Sequence, residues 1–344
     1  MTSPAVLVAM SGGVDSSVAA ALLQQQGYEV TGVTMKLWGG ASDTGCCSVS
    51  VVDDARRVAD QLGIAHHVFN FGDDFDERVV APYVAAHMRG ATPNPCIECN
   101  RHLKFDKLLR RATALGFDLV ATGHHARVVD HAGGLRIARG ADRAKDQSYV
   151  LHMLDEAQLS RVLFPLGHLT KADVRVLAAD LGLRTAAKPD SQDVCFISQT
   201  KGGRRRFLET RVELTPGTVV DTSGQVLGQV DAVELVTVGQ RKGLGVSGSG
   251  EPQYAIDVDT ASATVTVGEK ADLFDDLSPV TDLFWIGEPW TSVLEVQTSA
   301  HGTVASATIG ASAVRWLEPH RRVASGQSLV FYVGDTVLGS ATAA

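Results

Sequence analysis

The chain has 344 residues, of which 44% are apolar, 20% charged and 6% aromatic, enough for two or three cores at about 150 residues per domain. No window approaches the ~20 consecutive apolar residues of a membrane helix, and the start, MTSPAVLVAMSGG, has neither a basic stretch nor a small-residue cleavage site. A net charge of −8, from 31 Lys plus Arg against 39 Asp plus Glu, excludes general attraction to a polyanion and leaves nucleic-acid contact to local basic patches. The five cysteines (Cys46, Cys47, Cys96, Cys99 and Cys195) are odd in number and sparse, which argues against a disulfide framework and for a reducing, cytoplasmic compartment.

In chain order, buried apolar runs alternate with amphipathic stretches. Residues 5–10 read as a strand, 16–26 as a helix closed by Gly27, 29–35 as a strand, and Val52, Ala55, Val58, Ala59 and Leu62 as one face of a helix ending at Gly63. A strand over 65–71, helices over 74–88 and 100–115, and a short strand over 118–122 follow, then helices near 155–163 and 170–182. Continuous rather than alternating apolar strands in a βαβα order predict an α/β fold, a doubly wound parallel sheet covered on both faces. Past about residue 210 the period drops to two, with strands expected at 218–220, 226–230, 232–238, 254–258, 264–267, 294–298, 303–309, 313–317 and 328–334. A break at 272–279 divides these into two small β domains, the last barrel-like. The expected domains are 1–207, 208–272 and 273–344.

Three constellations carry chemistry. Ser11-Gly-Gly-Val-Asp-Ser-Ser17 follows the first strand and opens the first helix, so backbone N–H groups and the helix's positive end form an anion cradle. It lacks the Gly-Lys-Ser/Thr of a Walker loop and the glycine spacing of a dinucleotide fold. Thr92-Pro-Asn-Pro-Cys-Ile-Glu-Cys-Asn100 sets Cys99 where the next helix is expected to begin, near Arg101 and Lys104, which would lower its thiol pKa. Its two cysteines read as half a zinc site, a redox pair, or a nucleophile with a spectator; zinc is the weakest, because Cys195 is single. In Asp190-Ser-Gln-Asp-Val-Cys195 the thiol is either a small buried apolar group or a reactive one in a polar, turn-forming setting. An anion cradle with two remote thiols leaves sulfur chemistry open. Lys201-Gly-Gly-Arg-Arg-Arg206 is either a solvated charge run or an RNA contact.

The first loop resembles the SGGxDS pyrophosphate loop of ATP pyrophosphatases. With residues 94–105 (NPCIECNRHLKF), 121–125 (ATGHH), 145–149 (KDQSY), 190–197 (DSQDVCFI), 239–245 (GQRKGLG), Gly326-Gln327-Ser328 and Val330-Phe331-Tyr332, the whole chain is similar to the bacterial tRNA-specific 2-thiouridylases. The resemblance implies thiolation of the wobble uridine of certain tRNAs, with ATP, Mg²⁺ and sulfur delivered as a persulfide by a cysteine desulfurase relay. It implies ATP contact by Ala9, Met10, Ser11, Gly12, Gly13, Val14, Asp15, Ser16, Ser17, Met35 and Gly123, with Asp15 helping to hold Mg²⁺. It implies tRNA contact by Asn94, Pro95, Cys96, His124, Lys145, Asp146, Gln147 and Gln327, with Cys99 as nucleophile and Cys195 as persulfide carrier.

Two departures stand out. Many members carry Asp where this chain has Cys96, and the family's Arg-Tyr tRNA contact in the last domain is replaced near Ser299-Ala300. Cys96, Cys99 and Cys195 could also be three thiolate ligands of a [4Fe–4S] cluster; the persulfide route is preferred because three ligands are a minimal cluster set. The rivals are another adenylating enzyme, such as an amidotransferase-type synthetase or a tRNA lysidine synthetase, neither of which needs Cys99 or Cys195, and a non-catalytic RNA-binding protein.

Overall fold

The computed structural model describes residues 3–37, 49–190, 194–198, 200, 202–246 and 251–344. Cys46, Cys47 and Lys201 lie outside the described residues. The chain divides into two compact units: Met1–Val79 with Cys96–Gln199 and Asp335–Val337, and Val80–Pro95 with Thr200–Gly334 and Leu338–Ala344.

The first unit is built on a parallel sheet. β1 (Ala5–Ala9), β2 (Glu29–Lys36), β3 (Ala65–Asn70), β4 (Leu119–Ala121) and β7 (Val162–Leu163) lie in the order β3-β2-β1-β4-β7. All four pairings are parallel. Val6, Leu7 and Val8 of β1 are fully buried, as a run without polar alternation demands. Val6 and Val8 pack with Val18, Ala19 and Leu23 of α1 (Val14–Gln25), Val58 and Ala59 of α2 (Val49–Leu62) and Val174 and Ala178 of a helix at Lys171–Asp180. Because the chain leaves β1 toward β2 on one side and returns to β4 on the other, the carboxyl end of β1 is a topological switch point, where α/β sheets open a crevice for ligands. Residues 11–17 stand there.

Three readings of this unit need correction. The helix expected over 155–163 stops at Glu156–Leu159, capped by Asp155, and Val162–Leu163 joins the sheet as a strand too short to show a period. Residues 126–139, given no element from sequence, form a hairpin of β5 (Ala126–His131) and β6 (Gly134–Arg139). Its two-residue turn places both Ala132 and Gly133 at positive φ, a conformation usually marked by Asn or Asp, and alanine hid it. Finally, the helix carrying Cys99 begins at Pro95–Glu98 and runs on as a π-helical stretch, Cys99–Lys107. Pro95 suits a first helical position because its missing N–H is not needed there. Cys96, not Cys99, therefore occupies the first turn.

In the second unit, β8 (Gly217–Val220), β9 (Val226–Val230), β10 (Tyr254–Asp259) and β11 (Thr264–Gly268) form a sheet ordered β10-β11-β8-β9. The strand expected at 232–238 is instead a short 3₁₀ turn, Val233–Leu235. β12 (Phe274–Trp285), β13 (Leu294–Gln297), β14 (Ala305–Ile309), β15 (Ala313–Arg321), β16 (Ser328–Val333) and β17 (Thr336–Ala343) close into an antiparallel barrel. β12, the first barrel strand, begins inside the stretch 272–279. β12 pairs with β15 in its first half and with β17 in its second, shifting register at both steps, which bends one strand to serve two edges. Phe331 is fully buried with its ring 5.2 Å from that of Trp285. Phe331→Ala should lower stability by about 3–5 kcal/mol, read from the urea midpoint at constant m-value.

Candidate active site

The loop after β1 is shaped by two close approaches. Gly12 has φ +64°, and a Cβ on it would fall 2.6 Å from the Val51 carbonyl oxygen, so only glycine makes the turn without displacing backbone. A Cβ on Gly123, just past β4, would lie 2.7 Å from the Ser16 nitrogen; the neighbouring loop thus rests against the opening of α1. The amide groups starting α1 face the crevice with the helix's positive end. Ser17 is fully buried and donates to the Gly13 carbonyl at 2.7 Å, while Ser16 Oγ lies 3.2 Å from the Ser11 nitrogen that donates to it. These two hydroxyls hold the loop's shape, and Ser11 is exposed. Met10 and Val14 are core side chains, so their contribution to a bound nucleotide is backbone. Met35 sits near the end of β2 in register with Phe69.

Asp15, in the first turn of α1, is the centre of a charge network. Lys171 Nζ is 2.7 Å from both of its carboxylate oxygens and His125 Nε2 is 3.3 Å away. Burial pushes the Asp15 carboxyl up, but the hydrogen bonds from His125 and Lys171 outweigh it and hold it below the ordinary aspartate value. Lys171 also reaches Asp190 at 3.0 Å, where Lys145 (2.8 Å) and Arg175 (2.7 Å) converge. Burial again raises the Asp190 carboxyl, and its bonds to Lys145 and Lys171 bring it down to about 2. On the other side of the loop Lys188 donates to the Gly12 carbonyl at 2.8 Å and to Asp54 at 2.9 Å.

Lys171, Lys188 and His125 were not singled out from sequence. One signal existed: Thr170 and Asp173 form a capping box, which puts Lys171 at the first position of a helix, where a cation opposes the macrodipole unless something anionic compensates.

The residues expected at the tRNA surface divide. Lys145 is on the surface against Asp190. Asp146 points inward, accepting from the Gly140 nitrogen at 2.9 Å, Ser148 Oγ at 2.7 Å and Arg139 at 3.1 Å. Gln147 Oε1 accepts from the His125 nitrogen at 3.0 Å, which ties this segment to the Asp15 network. His124 is 7% exposed, bonded to Thr122 at 2.7 Å and packed between Phe105 and Phe164. Burial, with the nearby Lys104, holds its pKa well below the usual value, so the ring is neutral. Gln327 donates through its side-chain amide to the Thr92 carbonyl, and the Thr92 nitrogen donates to the Ser325 carbonyl at 2.8 Å. The segment before Asn94 and Pro95 is thereby fixed from two sides.

Cys96, Cys99 and Cys195 are all half-buried. Asn100, next to Cys99, donates to the Val150 carbonyl at 2.9 Å, and Arg101 pairs with Glu98 at 3.5 Å, which weakens the cationic setting expected around Cys99. Cys195 opens a short helix, Cys195–Ser198, anchored by Phe196 edge-on to Phe75 at 5.5 Å. Among the described residues no three His, Cys, Asp or Glu side chains converge to hold a metal. Cys96, Cys99 and Cys195 form no such group in the structure. A single carboxylate at a phosphate cradle does fit Mg²⁺, which is commonly held by one or two carboxylates plus substrate phosphates.

Residues 4–199 match the family described as tRNA methyl transferase HUP domain, 205–269 its PRC-barrel domain, and 280–343 the aminomethyltransferase beta-barrel domain. A protein of Carboxydothermus hydrogenoformans named tRNA-specific 2-thiouridylase MnmA is 46% identical over 98% of this chain and 96% of its own length. The chain belongs to this thiouridylase family. A namesake from Chloroflexus aggregans is also 46% identical, over 97% of this chain and 96% of its own, and one from Moorella thermoacetica is 43% identical over 98% of both. The likeness to these thiouridylases thus spans both compact units.

Gly123→Ala should weaken ATP binding at least tenfold with the circular dichroism spectrum unchanged, because the added methyl drives into the opening of α1; calorimetric titration measures it. Asp190, depressed in the folded state to about 2, contributes stability fully above roughly pH 4 and loses it as pH falls toward about 2. Asp190→Asn should therefore shrink the difference in denaturation midpoint between about pH 7 and about pH 3.

Proposed function

We propose that the chain catalyses ATP-dependent 2-thiolation of the wobble uridine of tRNA, a sulfurtransferase reaction in the cytoplasm with three working domains, 1–207, 208–272 and 273–344. The observation that carries this is an anion cradle with Asp15 at the sheet's switch point, in a chain similar over nearly its whole length to proteins named tRNA-specific 2-thiouridylases.

The amide groups opening α1 bind the phosphates of ATP, and Asp15 would hold Mg²⁺, which supplies charge neutralisation for the departing pyrophosphate. The uridine leaves its stack so that its O2 can reach the α-phosphorus; the P–O bond to pyrophosphate breaks and an O-adenylated uridine forms. The terminal sulfur of a persulfide on Cys195 then attacks C2, and AMP leaves with the oxygen. The Cys99 thiolate attacks the Cys195 sulfur, the S–S bond to the base breaks, and 2-thiouridine departs. The resulting Cys99–Cys195 disulfide is reset by two electrons from an external thiol, and a cysteine desulfurase relay delivers the next persulfide sulfur. Cys96, Lys145 and Gln147 of the first unit contact tRNA, as do Asn94, Pro95 and Gln327 of the second. His124 and Asp146 act from inside, through the surfaces they hold in place.

The test is nucleoside mass spectrometry of tRNA incubated with ATP, Mg²⁺ and a persulfide donor. Cys99→Ser and Cys195→Ser should each abolish 2-thiouridine, while Cys195→Ser still releases pyrophosphate. Cys96→Asp should retain most activity. Thiolation by the Cys195→Ser variant would overturn the persulfide route.

A further inference from the structure

The second unit carries a motif that the reaction above does not use, Gly239-Gln-Arg-Lys-Gly-Leu-Gly245. Three of its residues, Gly239, Gly243 and Gly245, adopt positive φ, and a Cβ on Gly245 would fall 1.8 Å from the Gln229 carbonyl oxygen. Positive φ disfavours side chains at all three positions, and at Gly245 the neighbouring backbone leaves no room for one. It is also tied down on every side. The Gly239 nitrogen donates to the Ala255 carbonyl at 2.7 Å, and the Ala255 nitrogen returns a bond to the Gln240 carbonyl at 2.9 Å. Gln240 closes the tip through its side chain, accepting from the Thr237 nitrogen at 3.2 Å and donating to the Lys242 carbonyl at 2.9 Å. Leu244 plugs into the core of this sheet with Val219 and Val230.

Two arginines act as struts. Arg321 donates to the Gly239 carbonyl at 2.6 Å, and Arg204 to the Leu235 carbonyl at 2.6 Å. Arg204 belongs to the basic run that sequence offered as an RNA patch, and its neighbour Arg205 is spent on Glu209 at 2.8 Å and Asp231 at 3.2 Å. Arg204 and Arg205 are thus engaged within the protein. What this framework presents instead is Arg241 and Lys242, adjacent and both exposed. Among the described residues neither has a carboxylate within ion-pair distance, in contrast to Arg205.

We propose that this loop is a preformed clamp for the phosphate backbone of the tRNA substrate, with Arg241 and Lys242 as its phosphate ligands; the assignment of tRNA rests on the function proposed above. Ordering a flexible cationic loop on binding would cost side-chain and backbone entropy, and the glycine turns and struts have removed that cost beforehand. Bare glycines flanking the two cations let a bulky ribose-phosphate chain approach the loop backbone. A guanidinium adds the two-pronged geometry that suits phosphate oxygens.

The experiment compares wild type, Arg241→Gln/Lys242→Gln and Gly243→Ala in tRNA binding across a salt series, beside the thiolation assay. For the double variant the slope of log K against log [salt] should fall in magnitude by about 0.9 per charge, or about 0.7 where the contacted RNA is single-stranded. Raising salt from about 50 to about 200 mM then costs the variant roughly tenfold less affinity than wild type. Its KM for tRNA should rise with kcat at saturating tRNA unchanged. Gly243→Ala, which keeps both charges but strains a residue at φ +74°, should lose affinity with the slope preserved. An unchanged slope in the double variant overturns the clamp, and loss of binding to the persulfide donor instead would place an acidic protein on the loop. Wild type that fails to thiolate while the slope still falls overturns the enzymatic reading and leaves the clamp standing.

Discussion

The ammonium of Lys171 is what the rest of the site leans on. It begins a helix, where the aligned peptide dipoles disfavour a cation, and its side chain is only 11% exposed. Both costs are offset by the same pair of carboxylates, Asp15 and Asp190, which reach it from different parts of the chain. Removing one partner of a well-buried pair costs about 3–5 kcal/mol because a charge is stranded. Here Asp15 is 32% exposed, so solvent screens part of that and the cost falls well below this range. The bridge has a chemical consequence beyond stability. Asp15 is the carboxylate proposed to hold Mg²⁺, where a metal would compete with the Lys171 ammonium for its oxygens while Lys171 keeps its pair with Asp190.

The same network explains why residues at the proposed tRNA side are tied to residues at the ATP cradle. Lys145 and Lys171 share Asp190, and Gln147 holds the His125 backbone while the His125 ring touches Asp15. The segment 145–147 is thus built into the support of the cradle. Conversely His124 and Asp146, given as tRNA contacts by the resemblance alone, are satisfied internally, and a neutral, packed imidazole at position 124 gives shape rather than charge.

How much of this was legible in the sequence follows from what periodicity can carry. The parallel sheet was readable because β1 is buried on both faces and so appears as an unbroken apolar run. The β5–β6 hairpin was not, because its turn uses alanine at positive φ, and β7 was not, because two residues have no period. The strand character of 274–279 was hidden because Asp275, Asp276 and Pro279 look like linker chemistry, yet a strand that is largely exposed and serves two partners in succession tolerates them. At the site, the cradle and the three thiols were visible as local motifs. Lys171, Lys188 and His125 were not, since each matters through a contact more than a hundred residues distant in sequence, and only the misplaced charge at the start of a capped helix hinted at one of them.

For an acidic chain the function proposed here requires free cations to be concentrated locally, and the structure makes clear where they are unavailable. Arg127 and Arg143 are committed to Asp335, Arg139 to Asp146, Arg175 to Asp190, and Arg205 to Glu209 and Asp231. Counting lysines and arginines along the sequence therefore overstates the positive surface, and a run such as 201–206 is a poor guide because helix geometry brings Glu209 alongside its arginines. A cation at a tight glycine-rich turn is different: the turn spends its hydrogen bonds on backbone, and the side chain stays turned to solvent. In a protein of net charge −8 the overall field does not favour a polyanion, so the proposed affinity for tRNA would rest on short-range contacts whose geometry is set before the substrate arrives.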